Sequence, residues 1–173
     1  METGNSRHYM RPHGKGLKLH LGCGDYWFDG YINIDLYTYG GTDMILDIRE
    51  KLPFEDQTIE RIEMYEVLEH LNRDEVNKLL GEFKRLLIEG GTIRLSVPDM
   101  DKLVELYPTN KEQAILYMYG YVDHPSHKWG YTKETLQKLF EDQGFKEVSV
   151  VQGRLPERTD EDKLILEAHY GRN

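Results

Sequence analysis

Two glycines, Gly22 and Gly24, end the apolar segment "LKLHLGCG", and an acidic residue, Asp35, closes the next apolar segment, "YINID". Because glycine has no side chain, the backbone of such a turn can approach a ligand closely. A carboxylate at the end of a second strand can accept hydrogen bonds from both hydroxyls of a ribose. The pattern therefore indicates a nucleoside-binding edge, although an ordinary turn aspartate would give the same sequence.

The connection between these two segments lacks two features of a dinucleotide site. Trp27 stands where the G-x-G-x-x-G pattern has its third glycine, and only six residues separate Gly24 from Tyr31. Six residues are too few for the helix whose N-terminus would face a pyrophosphate. We therefore expect a ligand that carries an adenosine without a phosphate, and a nicotinamide oxidoreductase is disfavoured.

A further acidic position follows the third apolar segment, "DMILDI", which ends at Asp47 and Ile48. A carboxylate there could accept a hydrogen bond from the amino group of adenine, and the aliphatic neighbour could cover the ring. On its own, the pair is equally compatible with a plain loop. In series with the glycine turn and Asp35, it predicts the adenine end of the same site.

Three histidines near predicted strand ends could serve as a general base. His70 follows the fourth strand, and His124 and His127 lie in "YVDHPSHKWGY". Histidine can take a proton near neutral pH, which an alcohol acceptor requires. Asp99, at the end of the fifth strand, could orient one of them or bind acceptor hydroxyls. The alternatives are that His70 only begins a helix and that the other two are loop residues.

The same region offers potential metal ligands in Asp99, Asp123, His124 and His127. The H-x-x-H spacing is not that of a zinc motif, and sites for hard divalent cations usually contain more carboxylates. We therefore expect no metal site.

Aromatic residues are concentrated between Tyr107 and Tyr131. Some must belong to the core of a helix, and the others could form the wall of an acceptor pocket and stack on a sugar. We predict that the acceptor contacts Trp27, His124, Trp129 and Tyr131.

Alternating strands and helices must position these residues. Seven apolar segments are typical of strands, and apolar residues recur at helical spacing from Val76 to Leu87, before Gly90 and Gly91. A second helix is predicted in "TKETLQKLFEDQG", with Thr132 as its N-cap. Shorter helices are expected over Asp101–Tyr107 and Lys111–Tyr119. This alternation predicts an α/β fold with ligands at the carboxyl ends of parallel strands, and the last two strands as an antiparallel pair at one edge.

Several of these segments in order resemble class I S-adenosylmethionine-dependent methyltransferases: "LHLGCG", "NID", "LDI", "YEVLEHL", "LLGEFKRLLIEGG" and "IRLSVPD". In detail they are similar to a compact branch that is often linked with polysaccharide and glycan biosynthesis. The resemblance implies a Rossmann-like, seven-stranded, mostly parallel sheet. It also implies one antiparallel edge strand, helices on both faces and a shortened first crossover.

The resemblance further implies that S-adenosyl-L-methionine is the cofactor and S-adenosyl-L-homocysteine the product. The glycines would border the methionine part, Asp35 the ribose, Asp47 and Ile48 the adenine, and Glu66 and Val67 the methyl-donor side. The cofactor-binding residues expected in this way are Leu21, Gly22, Cys23, Gly24, Asp35, Leu36, Asp47, Ile48, Glu66 and Val67.

The length and composition of the chain favour a single domain, residues 17–173, after a flexible N-terminal segment, residues 1–16. The chain has 173 residues and a formal charge of −9, which disfavours nucleic acid as the main partner. No apolar run is long enough for a membrane span. A single cysteine, Cys23, is typical of a reducing cytoplasm. The sequence leaves the oligomeric state open, with a homodimer among the possibilities.

The most specific hypothesis is O-methylation of a sugar or another hydroxylated small molecule, with His70 or His127 as the base and Asp99 in support. The preference for a sugar comes from the resemblance alone. Methylation of nitrogen or carbon in another metabolite is the alternative from the same fold, and a cofactor-binding module without catalysis is the alternative from another class.

Overall fold

A computed structural model describes residues 14–120, 126–153 and 163–171. Seven strands in this part of the chain form one sheet. Their bounds are β1 Leu17–Leu21, β2 Ile32–Asp35, β3 Met44–Ile45, β4 Ile59–Tyr65, β5 Leu87–Pro98, β6 Lys146–Gly153 and β7 Lys163–His169. The helices are α1 Arg73–Leu86, α2 Met100–Leu106, α3 Lys111–Tyr119 and α4 Lys133–Asp142, and a 3-10 helix spans Leu68–His70.

The strands are arranged in the order β3-β2-β1-β4-β5-β7-β6. The pairs from β3 to β5 are parallel, whereas β7 runs antiparallel to both β5 and β6. This confirms the predicted seven-stranded, mostly parallel sheet. The antiparallel strand is β7, which lies one position inside the edge strand β6, because the chain turns back from β6 and pairs again along β5.

Helix α1 begins at a capping box, in which the Asn72 side chain accepts from the Glu75 backbone N–H and the Glu75 side chain accepts from the Asn72 N–H. Its apolar side is buried in the main core, as the helical spacing predicts. The predicted end of this helix is corrected: Leu87 is extended, with φ −69° and ψ 137°, and pairs with Ile59. Strand β5 therefore begins before the two glycines, and its first residue, Leu87, is fully buried.

Helix α4 begins at Thr132, whose hydroxyl accepts from the Thr135 backbone N–H, and this confirms the predicted N-cap. Its buried residues, Leu136 and Phe140, belong to the same core as the inward-facing residues of the strands. The apolar sides of α1 and α4 thus pack with the inward-facing strand residues in one core on one face of the sheet.

The opposite face of the sheet carries polar side chains. Glu63 on β4 is buried and accepts hydrogen bonds from Arg61 Nε at 2.5 Å and from the Tyr65 hydroxyl. At the carboxyl end of this face, the Lys163 ammonium lies 5.8 Å from the centre of the Tyr117 ring on α3. Helix α3 therefore meets the sheet on the side away from α1 and α4.

The first crossover is as short as predicted: residues 22–31, all of which the structure describes, contain no helix. The buried Asn33 on β2 takes the place of a helix as an organising element. Its side chain accepts from the Phe28 N–H at 2.8 Å and donates to the Phe28 and Tyr31 carbonyls at 3.1 and 3.2 Å. The Phe28 ring then stacks on buried His20, with ring centres 4.2 Å apart.

Helices α2 and α3 confirm the two shorter helices predicted over this region. The predicted flexible N-terminal segment lies outside the described residues except for Gly14, Lys15 and Gly16. Among the described helices, none is both long and apolar enough to cross a bilayer.

Candidate active site

The glycine turn leaves β1 in a conformation that disfavours side chains. Gly22 and Gly24 have φ of +65° and +53°. The N–H groups of Gly22 and Cys23 both donate to the Ile34 carbonyl, at 2.8 and 3.1 Å. A Cβ on Gly22 would lie 2.2 Å from Val67 Cγ2, whereas a Cβ on Gly24 would meet nothing within 4 Å. The turn therefore packs closely against Val67, after the end of β4, at Gly22 and leaves open space at Gly24.

Asp35 lies beside this turn, as expected from its place at the end of β2. One carboxylate oxygen accepts from the Gly24 N–H at 2.9 Å and the other from the Tyr37 N–H at 3.0 Å. A carboxylate oxygen has two lone pairs, so each can accept one more hydrogen bond. The carboxylate is half-buried and lies next to the open space at Gly24, and its role at a ribose stays a prediction.

The neighbours of the turn differ in exposure. Leu21 and Cys23 are fully buried, and Leu36 is exposed. Burial raises the pKa of the Cys23 thiol, whose Sγ lies 3.7 Å from Thr42 Oγ1. A buried neutral thiol is not a nucleophile. The roles of Leu21, Cys23 and Leu36 at a cofactor stay predictions.

At the end of β3, Asp47 forms a bidentate pair with Arg49, at 2.8 Å to Nε and 2.6 Å to Nη2. The Arg49 guanidinium holds the pKa of Asp47 below its ordinary value. Ile48 packs against the edge of the main core. Asp47 is therefore a fixed carboxylate on the same side as the turn, and its role at adenine stays a prediction.

Glu66 follows β4 with φ +56°, which is uncommon for a residue with a side chain. Its carboxylate accepts from Ser96 Oγ at 2.9 Å and from Lys163 Nζ at 2.6 Å. Its N–H donates to the Ser96 carbonyl at 3.0 Å. These contacts from β5 and β7 hold the left-handed conformation and aim Glu66 across the carboxyl ends of the strands.

The 3-10 helix after β4 brings His70 to His127, 57 positions later in the chain, with ring centres 4.9 Å apart. Glu69, which is 1% exposed, has its Oε1 4.0 Å from His127 Nε2. Burial and the neighbouring His70 lower the pKa of His127, so its imidazole is neutral near pH 7. The two predicted catalytic histidines therefore lie together, beside a carboxylate that was not among the predicted site residues.

Asp99 has a different environment. Its Oδ1 accepts from the Asp101 N–H at 3.0 Å as the N-cap of α2, and its Oδ2 accepts from Gln152 Nε2 at 2.5 Å. Its backbone forms a parallel bridge with Tyr131. These contacts make Asp99 an anchor for the start of α2, and the proposed link to a histidine stays a prediction.

The predicted acceptor-binding residues are spread over the edge of the site. Trp27 is exposed and packs on Gly41, and Trp129 is exposed with the Arg73 guanidinium 4.9 Å from its ring centre. Tyr131 is buried near Glu69, and burial raises the pKa of its hydroxyl. His124 lies outside the described residues.

The predicted site residues do not include three residues that organise the site: Glu69, Ser96 and Lys163. Glu69 carried a signal, since it lies between two other predicted site residues, Val67 and His70. Ser96 and Lys163 carried little signal, because only the pairing of β5 with β7 brings them to Glu66.

Comparisons with known proteins agree with the observed fold. Residues 41–95 match the family described as a methyltransferase domain. No curated protein matches the chain in sequence. Among solved structures, an S-adenosylmethionine-dependent methyltransferase from Methanosarcina mazei has 15% identity and a TM-score of 0.61, over 94% of this chain and 95% of that one.

Two further structures are similar to the chain. A methyltransferase of the same kind from Archaeoglobus fulgidus has 15% identity and a TM-score of 0.63, over 90% and 86% of the two chains. A 1,6-didemethyltoxoflavin-N1-methyltransferase from Burkholderia thailandensis, with bound S-adenosylhomocysteine, has 16% identity and a TM-score of 0.64, over 92% and 72%. In fold the chain is similar to these S-adenosylmethionine-dependent methyltransferases, and its residues 41–95 match a methyltransferase domain, which supports the enzyme and the cofactor predicted from the sequence.

Proposed function

We propose that the protein methylates a hydroxyl group of a sugar or another hydroxylated small molecule, and that His70 and His127 assist the removal of the acceptor's proton. The observation that carries this proposal is the position of the histidine pair. His70 lies three residues after Val67, whose side chain leaves no room for a Cβ on Gly22 of the glycine turn, and His127 lies against His70. The proton-handling groups and the turn that would hold the methyl donor are thus adjacent at the carboxyl end of β4.

The chain's own residues fit the proposed cofactor. Asp35 would accept hydrogen bonds from the ribose hydroxyls, Asp47 and Ile48 would border the adenine, and the glycine turn, with its open space at Gly24, would border the methionine part. Glu66 and Val67 would line the side of the methyl donor. When bound, S-adenosylmethionine supplies a methyl group on a sulfonium, so that an O–C bond forms, the C–S bond breaks and its electron pair stays on sulfur.

The acceptor would lie beside the histidine pair and contact the exposed side chains of Trp27 and Trp129, whereas Tyr131 is buried and would not itself stack on a sugar. Tyrosine and tryptophan can stack on the apolar face of a sugar ring. Enclosure between rigid groups aligns the acceptor oxygen with the methyl carbon, and such alignment accounts for much of the rate enhancement in a transfer whose donor is already activated. The single buried cysteine is compatible with a reducing cytoplasm as the place of action.

An alternative is transfer to nitrogen or carbon. The structure from Burkholderia thailandensis is an N1-methyltransferase, and another similar structure is a carbon methyltransferase with a TM-score of 0.59. An amine acceptor with a free lone pair needs no base, so the histidines would then be dispensable. A binding module without catalysis is a second alternative, and it predicts cofactor affinity without turnover.

The first experiment is calorimetric titration with S-adenosylhomocysteine of the wild type, of Asp35→Ala and of a control, Asp142→Ala. Asp142 is an exposed aspartate at the end of α4, paired with Lys138. We expect binding by the wild type and the control, and affinity about 10- to 100-fold weaker for Asp35→Ala, since it loses charge-assisted hydrogen bonds. Absence of binding by the wild type would contradict the proposal.

The second experiment measures S-adenosylhomocysteine release with hydroxylated and amine acceptors. Turnover with hydroxylated acceptors that falls in His127→Gln supports O-methylation. Turnover with amines that is unaffected by changes at both histidines would favour the nitrogen alternative.

A further inference from the structure

Glu69, His70 and His127 form a cluster in which one ligand atom from each residue lies within 4.8 Å of the others. Glu69 is almost fully buried, and the two histidines are half-buried. The cluster includes neither Asp99, whose oxygens accept from Asp101 and Gln152, nor Asp123 and His124, which lie outside the described residues. It therefore shares only His127 with the potential ligands that the sequence analysis considered, and it differs from the expectation of no metal site.

Backbone contacts hold the two parts of the cluster together. The N–H groups of Lys128 and Trp129 donate to the Glu69 carbonyl at 2.7 and 3.2 Å. His127 donates its own N–H to the Tyr119 carbonyl at 3.1 Å. The short 3-10 helix and the segment 126–129 are thus fastened at the residues that carry the side chains, so the cluster does not depend on side-chain packing alone.

The histidines also present suitable nitrogens. Nδ1 of His70 lies 3.4 Å from the Ser126 carbonyl. A carbonyl cannot donate a hydrogen bond, so Nδ1 carries the proton in this contact and Nε2 is the unprotonated nitrogen of the neutral ring. Such bonds to backbone carbonyls are the usual second shell of metal-binding histidines. The second imidazole, that of His127, presents its Nε2 to the same cluster, 4.0 Å from Glu69 Oε1.

We propose that Glu69, His70 and His127 bind a divalent transition-metal cation, and that this cation takes oxygen atoms of the acceptor as its further ligands. The second half of this inference rests on the proposed function. In this inference the histidines would assist deprotonation by holding the cation, because an imidazole bound to a cation is not itself a base.

The donor set determines which cations fit. Two imidazoles and one carboxylate, with the other positions open, suit Fe²⁺, Mn²⁺, Co²⁺ or Zn²⁺ better than Mg²⁺ or Ca²⁺, which prefer oxygen ligands. Two ligands at right angles, about 2.1 Å from one ion, are about 3 Å apart. The 4.0 Å between Glu69 Oε1 and His127 Nε2 is too long for a hydrogen bond and would need to contract by about 1 Å.

Three protein ligands leave up to three coordination positions of an octahedral ion open to other ligands. A vicinal diol can fill two of them, so the proposal selects acceptors with neighbouring hydroxyls, as sugars have. Coordination lowers the pKa of the bound hydroxyl, whose proton then leaves to solvent. The oxygen lone pair forms the bond to the methyl carbon as the C–S bond breaks, and the electron pair of that bond remains on sulfur.

The test is titration of the metal-free protein with Co²⁺. The visible absorption of the bound Co²⁺ is the readout, and it reports nitrogen and oxygen ligands. The variants are Glu69→Gln and His127→Gln, with His169→Ala as the matched control. His169 also faces a glutamate, Glu147, with Nε2 and Oε2 3.8 Å apart, but at the opposite end of the sheet and without a second histidine in the group. Circular dichroism of each metal-free variant reports whether it is folded.

We expect one equivalent of Co²⁺ to bind to the wild type and to the control. Since changes even in the second shell weaken metal affinity by about 10- to 100-fold, loss of a ligand should weaken it by about 100-fold or more. No Co²⁺ binding by the wild type, or equal affinity in folded Glu69→Gln, His127→Gln and the control, would overturn the proposal.

Two further results separate this inference from the proposed function. If Co²⁺ binds as expected but the protein transfers no methyl group to any hydroxylated acceptor, the cation site stands and the proposed function fails. If the chelator-treated enzyme methylates a diol at the full rate and binds no Co²⁺, the function stands and the cation site fails.

Discussion

The two halves of the sheet connect their strands in different ways. From β1 to the start of β4, residues 17–58, the strands are joined by turns and loops without a helix, and every residue of this range is described. From β4 onward, helices join β4 to β5 and β5 to β6. The first half carries the predicted cofactor residues from Leu21 to Ile48, and the second half carries the histidine cluster.

The turns of the first half are held by polar side chains that bind backbone N–H groups. Asp35 accepts from Gly24, Asn33 from Phe28, and Asp43 Oδ2 from the Asn33 N–H at 2.8 Å. In the second half, the connections between strands are held instead by the buried apolar residues of α1 and α4. Short turns with side-chain hydrogen bonds keep the backbone open for a ligand, whereas packed helices give the stability on which such a site depends.

The largest effect should come from the packed half. Phe83 of α1 is fully buried in the main core, so Phe83→Ala should lower the free energy of unfolding by about 3–5 kcal/mol. Urea denaturation measures the loss. The control is Lys78→Ala on the exposed side of the same helix, with an expected change within about 0.5 kcal/mol. Equal losses in the two variants would break the comparison, because stability would then not depend on the helix core.

A smaller effect, specific to the turn half, should follow from Gly22→Ala. At φ +65° an alanine costs about 1–2 kcal/mol, and its Cβ would overlap Val67 Cγ2, which adds about 1–3 kcal/mol. Gly24→Ala, with positive φ but open space, should cost only about 1–2 kcal/mol. Equilibrium unfolding of both variants gives the difference.

The double variant Gly22→Ala/Val67→Ala sharpens this result. Removal of the Val67 methyl groups relieves the overlap but not the backbone strain, so the extra cost of Gly22→Ala over Gly24→Ala should disappear in the Val67→Ala background. If that extra cost persists, the contact between the turn and the end of β4 does not restrain Gly22.

The sequence predicted the second half in more detail than the first. The period of apolar residues in α1 and the Thr132 cap of α4 are local signals, and the structure confirms both. The glycine turn and Asp35 could also be located, because glycines and an acidic residue at the ends of apolar segments are visible in the local sequence.

Other features have no local signal. Asn33 appears in the sequence only as a polar residue within a strand, yet it binds Phe28, Tyr31 and Asp43. The pairing of Glu66 with Lys163 joins residues 97 positions apart, and the end of α1 at Leu86 is set by pairing of Leu87 with Ile59. These contacts depend on strand order, which a pattern along the chain does not contain.

The smallest effect concerns the contact between the two halves. Glu82 on α1 accepts from the Leu52 N–H at 2.8 Å and from Arg85 Nη2 at 2.5 Å, and so fastens a loop of the turn half to a helix of the packed half. Burial opposes the charged form of Glu82, but the bonds from Arg85 and Leu52 outweigh it and hold the pKa below its ordinary value.

Because the pKa of Glu82 is lower in the folded than in the unfolded chain, its charge stabilises the fold above the unfolded value, about 4.3. This contribution is lost as the pH falls through the folded value. Glu82→Gln keeps an oxygen that can accept from Leu52, so it removes mainly the charge and should cost about 1 kcal/mol at pH 7. Urea denaturation of both proteins from pH 7 to pH 3 should show the difference shrinking below pH 4.3. A difference that is constant over this range would mean that packing, and not the carboxylate charge, joins the two halves at this point.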